Sequence, residues 1–189
     1  MSSSREKLLD IAFSEIYHNG YTATSIDKIL KQASMNKGSM YHFFKSKKEL
    51  GLAVITERVN DYIVGKYGVL LQYEENICDE MMKLIKNRNN FDFNCGCKLN
   101  NLMQELSPLD KDFKEALEIV YLRFENIIEQ VLDKAVAKNE IVHNDTKALS
   151  MFVVASIEGC LGTAKKSQDG SYFQTCISQL ELLLNSLKK

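Results

Sequence analysis

TSIDKILKQASMNKGSMYHFFKSKKEL, residues 24–50, decides how the rest of the chain is read. Ile26, Ile29 and Leu30 fall on one face of a helix, and Ser25 stands before them as its N-cap. Lys28 occupies the position where a capping box would carry Glu or Gln. Ala33, Ser34 and Met35 form a three-residue turn. Asn36 caps a second short helix that buries Met40 and either Phe43 or Phe44. Its polar side carries Lys37, Gly38, Ser39, Tyr41 and His42. Ser46 opens a third helix, with Glu49 at the capping-box position three residues on. Two short helices about a tight turn, the second rich in polar side chains, is the layout of a helix-turn-helix.

Outward from this stretch the chain reads as helix after helix. Residues 3–18 carry an apolar stripe of Leu8, Leu9, Ile11, Ala12 and Ile16, with Ser3 or Ser4 as cap and Gly20 as the left-handed residue that stops it. From Ser46 a long helix runs to about Gln72, with Gly65 and Gly68 as places to bend. Further helices are expected over 75–87, 97–106, 110–138, from Asp145 or Thr146 to about 167, and 172–188. A polar, Asn-rich loop lies before the second of these. One proline and few glycines favour long helices over a turn-rich β fold. The fold class is all-α, with about nine helices. Residues 1–47 form a three-helix helix-turn-helix domain, and residues 48–189 form a helical domain for effector binding and dimerisation.

The net charge is −1, which by itself does not advertise a nucleic-acid partner. Its distribution says more: residues 1–50 hold eight Lys/Arg against five acids, a net of +3, leaving −4 for the remainder. A basic head on an acidic body suits a DNA-contacting region joined to a domain with another task. No apolar run reads as long enough to span a membrane, and the start lacks a signal-peptide h-region. A cytoplasmic location is expected. Five cysteines, an odd number, argue for thiols over a disulfide framework. The three histidines have no ligand-spaced partners, so neither a metal nor another cofactor is expected.

The order Gly20-Tyr21, Thr24-Ser25-Ile26, Ile29, Ala33, Gly38-Ser39-Met40-Tyr41-His42-Phe43 and Ser46-Lys47-Lys48-Glu49-Leu50 resembles the DNA-binding segment of the tetracycline-repressor (TetR/AcrR) family. Two positions depart from that pattern. Leu30 replaces the usual Ala, and Ser34 replaces the turn Gly, which is favoured where φ is positive. The resemblance implies a transcriptional repressor that binds a near-palindromic double-stranded operator as a homodimer, sealed by the last two helices in a four-helix interface. Those helices are apolar on more than one face, and Ala155, Gly159 and Gly162 would let another helix approach. Lys37, Ser39, Tyr41 and His42 are the candidate groove-facing residues, and Gly38 leaves room for the backbone to approach DNA closely. Tyr41, His42, Lys47, and Thr24 or Ser25 are candidates for phosphates.

Asn94-Cys95-Gly96-Cys97-Lys98 is the oddest local feature. Cys97, near a helix start with Lys98 beside it, has surroundings that favour a thiolate. Gly96-Cys97, Asn101-Leu102 and Glu105-Leu106-Ser107 are similar to a branch of the family whose Gly-Cys segment opens the sixth helix. Some members of that branch respond to electrophiles or oxidants through a thiol. Cys97, and after it Cys95, are therefore candidate sensors. The alternative is reversible binding of a small apolar molecule among aromatic and apolar side chains such as Met103, Tyr121 and Phe124. Two other functions stand beside the repressor: an architectural helix-turn-helix protein with no effector, and a cysteine-dependent enzyme. The latter lacks a His near Cys97, a phosphate loop or a carboxylate pair, so the chain is read as not an enzyme.

Overall fold

The computed structural model describes residues 4–189, and among them every regular element is helical. The α-helices are α1 Ser4–Asn19, α2 Ile26–Ala33, α3 Lys37–Phe43, α4 Lys47–Ala53, α5 Asn60–Tyr67, α6 Ile77–Lys86, α7 Lys98–Leu106, α8 Lys111–Ala137, α9 Thr146–Ser167 and α10 Gly170–Ser186. A π-helical turn, Val54–Val59, joins α4 to α5 without a break, and a 3₁₀ turn, Gly68–Gln72, ends that rod. Counted as rods, the described residues form the nine helices expected. The long helix read from Ser46 therefore exists, but with two irregular turns. Gly68 begins the second, while Gly65 lies within α5. Ser4 is already helical, and the alternative cap Ser3 lies outside the described residues.

Two compact units share the chain. The first comprises residues up to Tyr62 together with Lys98–Val120. Its core is built from Leu8, Leu9 and Ala12 of α1, Ile29 of α2, Met40 of α3 and Leu50 of α4, each at most 1 % exposed. Burying a side chain of this size contributes roughly 1.5–3 kcal/mol, so the helix-turn-helix is held by its apolar stripes. Glu57 and Arg58 of the π turn both reach α1. Arg5 donates to Glu57 at 2.9 and 2.5 Å, and Arg58 donates to Asp10 at 2.6 Å and also to Glu6. Gly51 is required where it stands, because a Cβ there would lie 2.6 Å from the Tyr21 ring and 3.1 Å from Phe113.

The second unit comprises Ile63–Cys97 and Tyr121–Lys189. Val153 and Ile157 of α9 and Phe173 and Ile177 of α10 are wholly buried in it. Tyr67 stacks on Phe124 with ring centroids 4.2 Å apart. A tight turn at Gln168 and Asp169 folds α10 back on α9 and brings Cys160 within 5.5 Å of Cys176, Cα to Cα, where they form a disulfide. This corrects the expectation of thiols throughout. An odd count says nothing about two cysteines that a helical hairpin places side by side, and Cys78, Cys95 and Cys97 remain unbridged. The expectation that no segment could span a membrane is also corrected. α9 is long and apolar enough by length and composition, and half of it is buried inside the fold.

Candidate nucleic-acid interface

Helices α2 and α3 each start on a local side-chain hydrogen bond. Ser25 accepts the Lys28 amide at 3.2 Å, and Asn36 Oδ1 accepts the Ser39 amide at 2.8 Å. Between them Ser34 adopts φ 56° and ψ 44°, the left-handed conformation that a glycine would take without cost. The amides of Ser34 and Met35 bond back to the carbonyls of Lys31 and Leu30 at 3.2 and 3.0 Å. Met40 is fully buried and anchors α3, and Phe44, not Phe43, is the buried aromatic. Ser46 accepts the Glu49 amide at 3.0 Å, and Glu49 in return accepts the Lys45 amide at 2.7 Å.

With one side of α3 anchored, the other faces outward. Lys37, Gly38, Tyr41 and His42 are exposed, and Ser39 is half-buried with its hydroxyl donating to Asn36 at 3.2 Å. The Lys37 ammonium pairs with Asp27 at 2.9 Å, which raises its pKa. Both side chains are exposed, so the pair is weak and open to exchange for another acceptor. A concave surface of about 400 Å³, lined by Ser4, Met35, Gly38, Ser39, His42 and Phe43, flanks this helix.

Two of the phosphate candidates are engaged elsewhere. Thr24 is 1 % exposed, and its hydroxyl donates to the Gly20 carbonyl at 2.7 Å and the Glu15 carbonyl at 3.3 Å. The structure therefore removes Thr24 from the surface and leaves Ser25 exposed. Lys47 is half-buried, its ammonium 4.5 Å from the Tyr21 ring centroid and 3.3 Å from the Thr22 carbonyl. Sequence reasoning missed Glu15. This buried carboxylate of α1 accepts from Gln32 at 2.6 Å and pairs with Lys28 at 2.6 Å, tying α2 down. A polar residue at a position where the α1 stripe expects an apolar one was its signal.

Residues 8–54 match the family model of bacterial regulatory proteins, tetR family, and residues 75–179 match the C-terminal domain model of LmrA/YxaF-like transcriptional regulators. The chain belongs to the TetR family. TetR-family proteins bind operator DNA and act as homodimers, and they are transcriptional regulators, not enzymes. This member is a DNA-binding transcriptional regulator. It is 29 % identical over 193 residues to an uncharacterised helix-turn-helix regulator in the lacX 3′ region of Lactococcus lactis, covering 100 % of this chain and 95 % of that one. It is 28 % identical over 122 residues to the transcriptional repressor NemR of Escherichia coli, covering 61 % and 60 %. The crystal structure of E. coli NemR in its reduced form has the same fold, with a TM-score of 0.84 at 22 % identity over 93 % of this chain and 94 % of that one.

In the body of this TetR-family chain the sensor candidates separate. Cys97 is 9 % exposed and Cys95 is half-buried. The tight turn ahead of them is organised by Asp92, which accepts the amides of Asn94 and Cys95 at 2.9 and 3.0 Å. Burial, then the charge of Glu158, then Cys97, push the Tyr121 phenol well above its ordinary range, so Glu158 and Cys97 each lie within electrostatic reach of Tyr121. Glu158, only 5 % exposed, was not singled out from the sequence, although a lone carboxylate in the apolar run of α9 was there to be seen. Phe124 is entirely buried against Tyr67 and belongs to the core. Met103 sits in the other unit, its sulfur accepting from Ser107 at 2.6 Å.

Proposed function

We propose that this chain represses transcription from a palindromic operator and is released by a small-molecule or electrophile/oxidant signal. Residues 1–47 serve as the DNA-binding domain, and residues 48–189 serve effector binding and dimerisation. The observation that carries this reading is α3, capped by Asn36, anchored through Met40 and exposed along Lys37, Gly38, Tyr41 and His42. A short helix held this way enters the major groove with its first residues on base edges. Lys37 exchanges Asp27 for a guanine or phosphate acceptor. Ser39, Tyr41, His42, Ser25 and Lys47 contact the backbone around it.

Dimerisation runs through α9 and α10. Met151, Phe152, Tyr172, Leu182 and Leu183 are exposed apolar residues on these helices. A Cβ at Gly159 or Gly162 would meet nothing within 4 Å in its own chain, so these small residues serve no packing within the protomer. Pairing with a second copy sets two α3 helices about 34 Å apart, one turn of DNA. The effector acts around Tyr121, which lies within electrostatic reach of Cys97 and Glu158. The regulator works in the cytoplasm, where its operator is.

The test starts from the duplex that the wild-type protein enriches from a random-sequence pool. Lys37→Ala should weaken binding to it about tenfold, in line with roughly 1–3 kcal/mol for a good base contact, with thermal unfolding unchanged. Unchanged affinity would remove Lys37 from the interface. N-ethylmaleimide should lower the affinity of the wild type and leave Cys97→Ser unaffected. Equal response of the two proteins would rule out Cys97 as the sensor.

A further inference from the structure

Glu105 belongs to the Asn101-Leu102 and Glu105-Leu106-Ser107 pattern that the DNA-reading function does not by itself explain. It stands on α7, where Leu99, Leu102 and Leu106 are buried, and its carboxylate projects onto the segment between α1 and α2. Oε2 accepts the Tyr21 amide at 2.9 Å, and Oε1 accepts the Thr22 amide at 2.7 Å. Gly20, at φ +83°, makes room: a Cβ there would lie 3.2 Å from Oε2. All of these residues lie in the first compact unit.

The surroundings fix both partners. Lys47, the first residue of α4, donates to the Thr22 carbonyl at 3.3 Å and lies over the Tyr21 ring. Tyr21 packs edge-on against Phe113, centroids 4.9 Å apart. At the other end of α7, the Lys98 ammonium lies 3.8 Å from the Tyr17 ring of α1. Burial raises the Glu105 pKa, but the amides of Thr22 and Tyr21 and the charge of Lys47 outweigh it, so the group is held below its ordinary value and ionised. Two diverging N–H groups need two acceptor oxygens on one group, which a carboxylate has and a carboxamide lacks.

We propose that Glu105 is a positioning residue for DNA recognition: its carboxylate, presented by α7, sets the orientation of the helix-turn-helix by holding the Tyr21 and Thr22 amides at the start of the segment leading into α2. Thr24 and Ser25 follow within four residues, so the placement of these amides fixes where the cap of α2 lies. α7 begins at the residue after Cys97, and a shift of α7 along its axis would carry this carboxylate, and with it the Tyr21 and Thr22 amides, toward a new position. The proposal rests on the reading of α2 and α3 as the DNA reader.

The experiment uses the full-length protein, Glu105→Gln and Glu105→Asp. Each is measured against the duplex enriched by the wild type and against an unrelated duplex of equal length, well below the unfolding temperature. Hydrogen exchange of the 20–24 segment is followed in parallel. Glu105→Gln should speed exchange of the Tyr21 and Thr22 amides at least tenfold, lower affinity for the selected duplex about tenfold and change affinity for the unrelated duplex less than twofold. A residue that only stabilises the fold would lower both affinities in equal proportion, which would overturn the proposal, as would unchanged exchange. If Glu105→Gln does not fold, Glu105→Asp decides by the same ratio, because its shorter arm keeps the charge and loses the reach. A wild-type chain that enriches no duplex overturns the DNA-reading assignment and the proposal with it, a result distinct from a variant failing where the wild type succeeds.

Discussion

Ser34 shows what one side chain does to a turn. A non-glycine residue in the left-handed region costs about 1–2 kcal/mol, and Ser34 sits there at φ 56°. Ser34→Gly should therefore stabilise the protein by about 1 kcal/mol, less whatever the freer glycine costs in the unfolded chain. Denaturant unfolding checks this, and a loss of stability would mean that the serine makes a compensating bond. The same scale explains one misreading. Thr24 stands in the DNA-binding motif as a polar residue, and its type was legible, but the direction of its hydroxyl was not. That direction depends on the carbonyls of Gly20 and Glu15, which the end of α1 places within reach.

Among the elements, the joint between α1 and α2 depends on Glu15. Lys28 above all, aided by Gln32, overcomes the opposing effect of burial and holds its pKa below the ordinary 4.5. A carboxyl depressed in the folded state contributes stability that is present above its unfolded pKa and lost as pH falls through the folded value. Acidification below about pH 4.5 should thus loosen the joint in the wild type, while Glu15→Gln should lack that limb of the stability profile. Glu15→Ala, which leaves Gln32 without its acceptor, should cost about 1–3 kcal/mol at neutral pH, read by thermal unfolding. The starts of α2, α3 and α4 fell where the sequence placed them, since Ser25, Asn36 and Ser46 act within three residues of themselves. The start of α6 was less legible. Asn76 makes no side-chain cap there, and Glu140, 63 residues away from Ile77, accepts its amide at 2.8 Å. Local chemistry can be read along a chain, and a cap supplied from a distant turn cannot.

For the whole molecule, Phe152 offers the sharpest test of assembly. It is 52 % exposed on α9. Phe152→Glu should shift the protein from dimer to monomer in sedimentation and weaken operator binding, because a charge buried in an apolar contact is costly. An unchanged dimer would place the contact on another face. The disulfide makes a separate prediction. It joins two cysteines 16 positions apart in the sequence, Cys160 and Cys176. A loop near that length is worth about 3 kcal/mol in the chain-entropy view, so the oxidised protein should unfold at a higher temperature than the reduced one, and Cys160→Ser should behave as the reduced form in both conditions. A reducing thiol pool would hold the bond open. The all-helical architecture and the position of the reader were legible in residues 24–50 and in the apolar stripes. The roles of Glu15, Glu105 and Glu158 were not, because each acquires its meaning from partners outside its own helix.

The π turn at Val54–Val59 has a consequence for how this gene can tolerate change. Such a turn holds one residue more than the α turn it replaces, and each residue of an α-helix advances the face by about 100°. Removing one codon from this span would leave a continuous helix of ordinary geometry. Because the wider turn rotates less per residue, the later side chains, Ile63 and Tyr67 among them, would stay on the buried side they now occupy. The change would fall on Glu57 and Arg58, which would lose their seats on α1. The surplus residue serves those two ion pairs, so an in-frame deletion here should weaken the hold of this turn on α1 and leave the burial of Ile63 and Tyr67 intact.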